Sequence, residues 1–128
     1  MQRSVQQQNA SVEAGIRAAA EKFSQGAAGF AWLHAILRAN RMDADSGLLV
    51  RLTEIPDQGG QLVAGLWLTS ARRFIEFQVS LSRESGELQE VERFLDVTSS
   101  MAVESGQRGT GQSFGFLALK VLAEAHDG

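Results

Sequence analysis

Four carboxylates, Glu76, Glu90, Glu92 and Asp96, recur at alternating positions in two neighbouring segments, and paired carboxyls are the raw material of general acid and base catalysis. That chemistry needs a cleft that shifts their pKa values. Here Glu76 sits with Phe74, Gln78 and Ser80 between Ile75, Phe77, Val79 and Leu81, the period-two pattern of a strand with one wet side, so no catalytic residue is assigned. The run Gly106-Gln107-Arg108-Gly109-Thr110-Gly111-Gln112-Ser113 precedes a helical pattern, whose amides could meet an anion. A phosphate loop would carry lysine where Gln112 stands and would follow a strand, so a mobile connection with Thr110 or Ser113 as helix cap is expected. Asp43, Asp45 and Glu54 resemble calcium-loop spacing, but Gly47 falls one place early and a strand pattern follows. His34 has no acidic neighbour three or four positions away, and His126 lies near a helix end. With no cysteine in the chain, disulfides and cysteine-based metal sites or nucleophiles are excluded, and with no histidine-rich spacing either, neither a metal nor a cofactor is expected.

The elements that must position these residues can be read in order. Residues 1–10 form a Gln-rich tail with little to bury, expected to be flexible, and 11–128 a single domain. Val12, Ile16, Ala19, Ala20 and Phe23 give a first helix from about Ser11 to Ser24. Phe30, Leu33, Ile36 and Leu37 give a second from about Ala28 to Arg41, the better candidate to lie across a sheet. Strands follow at Leu48 to Ile55 and Gln61 to Thr69, with Leu48, Val50, Leu52, Leu62, Ala64, Leu66 and Leu68 inward. Pro56 to Gly60 is the turn between them. The central stretch from Arg72 to Ser99 is a hairpin. A three-residue loop, Glu84-Ser85-Gly86, with Gly86 left-handed, sets Val79 opposite Val91, Ile75 opposite Leu95 and Arg93 opposite Phe77. Phe114, Leu117, Val121, Leu122 and Ala125 mark a last helix from Gln112 to Ala125. The expected fold is α+β, a four-stranded antiparallel meander in the order α-α-β-β-β-β-α with helices packed on one face.

Twelve basic residues scattered against fifteen acidic ones, net charge -3, argue against nucleic acid as the main partner, because phosphate recognition wants clustered cations. No apolar run has the length of a leader or a membrane span, so a cytoplasmic protein that meets no membrane is expected. By strand parity Trp67, Phe74 and Phe94 look away from the helices and are ringed by Glu76, Glu90, Glu92 and Asp96. An apolar centre with a charged rim is the composition of a binding patch, and its sign suits a basic protein partner, although a homodimer or the first helix could cover it.

The strings Phe74-Ile75-Glu76-Phe77, Ser85-Gly86-Glu87-Leu88 and Glu90-Val91-Glu92-Arg93-Phe94-Leu95-Asp96-Val97-Thr98 resemble hairpins of small bacterial immunity proteins, cytosolic inhibitors made beside polymorphic or contact-delivered toxins. The resemblance is confined to the hairpin. It implies a protein that is not an enzyme and that occludes a toxic domain, with Trp67, Phe74, Glu76, Glu90, Glu92, Phe94 and Asp96 as the partner-binding set. Two other classes fit the same composition: a dimeric secretion chaperone of the type III kind, and a small-ligand-binding domain of cystatin-like or nuclear-transport-factor-like fold, in which the aromatics would line a cavity.

Overall fold

A computed structural model describes residues 5–57, 60–101 and 114–127. Helix α1 (Val5–Gln25) leads through a short 3-10 turn (Ala27–Phe30) to α2 (Ala31–Ala39). Four strands follow, β1 (Leu48–Asp57), β2 (Gly60–Leu68), β3 (Phe74–Leu81) and β4 (Leu88–Asp96), and α3 (Phe114–Asp127) closes the chain. Each strand pairs antiparallel with the next, giving the order β1-β2-β3-β4. The α+β class, the element order and the meander are those the residue pattern implies. Helix α1 begins at Val5, so Ser11 lies within it and most of the expected tail is helical. Glutamine is a good helix former, and residues 5–10 extend a helix whose later turns are packed. The Gly-rich run 106–113 and the tip of the β1–β2 turn lie outside the described residues.

The helices lie on both faces of the sheet rather than on one. Phe30, Trp32, Leu33, Ile36 and Leu37 pack with Leu49, Val63, Trp67, Ile75, Phe77 and Val79 into one buried core. Leu117, Ala118, Val121 and Leu122 of α3 pack with Leu48, Val50, Leu66, Leu68 and Phe74 into a second. Register separates the two: Leu49 pairs with Trp67 and Trp67 with Ile75, while Leu48 pairs with Leu68 and Leu68 with Phe74. Neighbouring residues of a strand point to opposite faces, so the two cores are opposed across the sheet. Helix α1 lies along β1 and serves both, with Ile16 in the α3-side core and Phe23 against the α2-side core. Glu13 ties α1 to α3 by accepting from Lys120 Nζ at 3.1 Å, and also accepts from Arg17 at 2.9 Å; these two partners hold its carboxyl below the ordinary value.

The physical reason is in β2. Leu62-Val63-Ala64-Gly65-Leu66-Trp67-Leu68 has no polar residue at alternate places, and such a run is apolar on both sides. Val63 and Leu66 through Leu68 are accordingly all buried. Gly65 belongs to the same packing. A Cβ there would stand 2.4 Å from Phe77 Cζ and 2.7 Å from the Arg51 carbonyl oxygen, so only glycine lets the Phe77 ring lie over β2.

Candidate functional site

The hairpin β3–β4 carries most of the residues singled out by pattern. Ser82 N–H donates to the Glu87 carbonyl at 2.8 Å and Gly86 N–H to the Ser82 carbonyl at 2.8 Å, so the loop is four residues, Arg83 to Gly86, one longer than the spacing suggests. Gly86 has φ +72°, the left-handed conformation expected of it. Leu81 then faces Leu88, and Ser80 faces Glu90, which leaves Gln89 as an extra residue. That bulge restores the expected pairing of Val79 with Val91.

A second irregularity follows at once. Val79 faces Val91 but Gln78 faces Arg93, so Glu92 is unpaired and every later residue of β4 is shifted by one. The expected pairs Ile75–Leu95 and Phe77–Arg93 are thereby replaced by Ile75–Asp96 and Phe77–Phe94. Phe94 turns in beside Phe77 and packs, half-buried, on the α2-side core. Arg93 turns to the other side, where it forms an ion pair with Glu76.

The expected aromatic patch therefore does not exist. Trp67 and Phe74 are fully buried, and they lie in different cores on opposite sides of the sheet. Trp67 is held by Phe23, edge-on with ring centroids 5.2 Å apart, and its buried Nε1 has no hydrogen-bond partner among the described residues. Phe23 in turn stacks on His34 at 4.9 Å, which gives that histidine a packing role. The signal that could have revealed this burial is the unbroken apolar run of β2, together with Leu48-Leu49-Val50 on β1.

The four carboxylates part company as well. Asp96 is committed to the junction of the two strands. Thr98 N–H donates to its Oδ1 at 2.9 Å and Arg73 Nε to its Oδ2 at 2.8 Å. Thr98, through side chain and amide, and then Arg73 bring its carboxyl down from 3.8 to about 2. Thr98 Oγ1 also accepts from Phe74 N–H at 2.7 Å, and Val97 N–H donates to the Phe74 carbonyl at 2.8 Å, so Asp96 anchors the end of β4 to the start of β3. Glu76 lies with Arg51, Thr53, Gln78 and Arg93 in a shallow polar cleft of about 450 Å³ on the part of the sheet beyond α3. Among the described residues it is the carboxylate that lines this cleft, and it is engaged by Arg93.

Glu90 and Glu92 remain. Both are exposed, and neither forms an ion pair with another described residue. They flank Val91, and Leu95 lies three places beyond Glu92; these two are 43% and 49% exposed on a strand with no further strand on its outer side among the described residues. Among the described residues no group of three or more His, Asp or Glu could hold a metal ion, and no helix is long and apolar enough to cross a membrane. Comparison with protein-family models, with curated proteins and with solved structures finds no match to this chain.

Proposed function

We propose that the chain is a non-enzymatic protein-binding inhibitor, an immunity-type protein that occludes a basic toxin domain in the bacterial cytoplasm. The observation that carries this reading is the outer edge of the sheet, where Glu90 and Glu92 stand exposed beside Val91 and Leu95. Like charge beside exposed apolar residues on either face of an edge strand favours a partner of opposite sign, drawn in by long-range attraction and held by desolvated contact. The hairpin's likeness to immunity proteins gives the biological class. Trp67 and Phe74 leave the contact set because they are interior, Phe94 is half-withdrawn, and Asp96 and Glu76 are engaged within the fold. The surface supported is thus narrower than composition suggests and centres on β4 rather than on a sheet face.

The test is stoichiometric co-purification of a partner of basic charge, followed by charge reversal. Glu90→Lys with Glu92→Lys should weaken the pair by about tenfold or more at low salt and less at high salt, since exposed charges are screened beyond ~10 Å at 0.1 M. Unchanged affinity in the double variant would remove the proposed surface.

A further inference from the structure

We propose that β4 accepts an extended, lysine- or arginine-bearing segment of its partner as a fifth strand. This rests on the protein-binding reading above and adds the manner of binding.

The backbone is oriented for it. Val97 N–H bonded to the Phe74 carbonyl fixes the phase of the β3–β4 ladder at one end, and Ser82 N–H bonded to the Glu87 carbonyl fixes it at the other. Antiparallel pairs alternate between those that exchange hydrogen bonds and those that do not. Counting from Val97, Leu95 and Arg93 direct their N–H and C=O groups at β3, and Phe94 and Asp96, opposite Phe77 and Ile75, direct theirs outward. Counting from Glu87, Leu88 and Val91 are likewise turned outward. Because β4 ends the strand order, these groups meet no further strand among the described residues. The stretch from Arg93 to Asp96 pairs without interruption, so it is a regular template for a short added strand.

Charge selects the occupant. A second copy pairing through β4 would bring two sets of Glu90 and Glu92 against one another, which like-charge repulsion opposes, and the bulges at Gln89 and Glu92 twist the edge away from long, flat self-pairing. A basic strand meets the opposite sign. Val91, on the α2 side of the sheet with Val79, and Leu95, on the opposite side with Glu76, each leave apolar surface exposed along this edge.

The probe is a peptide of about ten residues alternating lysine and valine, long enough to form one strand. Binding is read by fluorescence anisotropy, and amide hydrogen exchange of the full chain is read by NMR with and without the peptide. The expected result is saturable binding that is lost in Glu90→Lys with Glu92→Lys, together with about tenfold slower exchange at the amides of Phe94 and Asp96. Binding that leaves those two amides unprotected overturns strand addition while leaving an acidic protein-binding edge in place. Binding that survives the double charge reversal, or no binding up to about 1 mM, overturns both the mode and the surface it rests on.

Discussion

The two edges of the sheet have been treated in opposite ways. At the start of β1, Leu48, Leu49 and Val50 are buried in succession, and the 21-residue α1 runs alongside, placing Ile16 and Phe23 in the two cores that flank it, while Arg51 and Thr53 to Ile55 further along are exposed. On β4, seven of nine residues are exposed, two bulges interrupt the pairing, and Glu90, Glu92 and Arg93 occupy the middle. Charges and bulges are how an uncovered edge avoids pairing with itself. A strand that is covered can be apolar on both faces; a strand left open must be charged, and its charge then decides which partners can approach it.

Substitutions that fall on one side or the other sharpen that contrast. The largest effect is expected at Trp67, where truncation to alanine opens a cavity beneath Phe23 and should cost about 3–5 kcal/mol in urea denaturation. Gly65→Ala comes next. Its Cβ would displace the Phe77 ring and press on the Arg51 carbonyl, a destabilisation of about 1–3 kcal/mol.

One residue type permits a direct comparison of the edges. Val50 on β1 is 2% exposed and Val91 on β4 is 43% exposed. Val50→Ala should cost about 1.5–2 kcal/mol, from two buried methyl groups, and Val91→Ala under about 0.5 kcal/mol. Equal losses would break the comparison, because they would mean that β4 is covered in solution. At the hairpin tip, Gly86→Ala should cost about 1 kcal/mol, since alanine is strained at φ +72°.

How much of this is legible in the residues depends on the length over which a pattern holds. The helices and strands show themselves through their periods, and Gly86 announces a left-handed turn. The placement of side chains on one face or the other is less secure, because parity survives only until the first inserted residue. The expected pairing fails beside the turn, where Leu81 faces Leu88, and holds only at Ser80–Glu90 and Val79–Val91; Gln89 and Glu92, ordinary polar residues in an alternating strand, carry no mark that they will bulge. Yet the single residue Glu92 moves Phe94 inward and Arg93 outward. The two-faced burial of β2 and of the first three residues of β1, by contrast, is written plainly in the apolar run Leu62 to Leu68 and in Leu48-Leu49-Val50, once absence of alternation is taken to mean cover on both sides. Of the candidate site, the acidic residues of β4 are found by pattern. The aromatic members are not, because helices cover Trp67 and Phe74 from opposite faces and the bulge at Glu92 turns Phe94 inward.

The smallest effect concerns the one carboxylate that the open strand turns back toward its own fold. Asp96 titrates at about 2 in the folded chain against an ordinary value of 3.8, because Thr98 and Arg73 bind its charged form. A folded pKa below the unfolded one means that the unfolded chain takes up the proton first. The contribution is therefore fully present above about pH 4 and is lost as pH falls toward 2. The group is exposed, so the effect on overall stability is small and is best seen locally. Between pH 5 and pH 2, exchange of the Val97 amide, corrected for intrinsic rates, should accelerate as Asp96 is protonated and the link from β4 to Phe74 loosens. In Asp96→Asn the Val97 amide should exchange faster already at pH 5 and show little further change on acidification. If the variant kept the pH response of the parent, the end of β4 would be held by something other than this carboxylate, and the open edge would be less self-supporting than its hydrogen bonds imply.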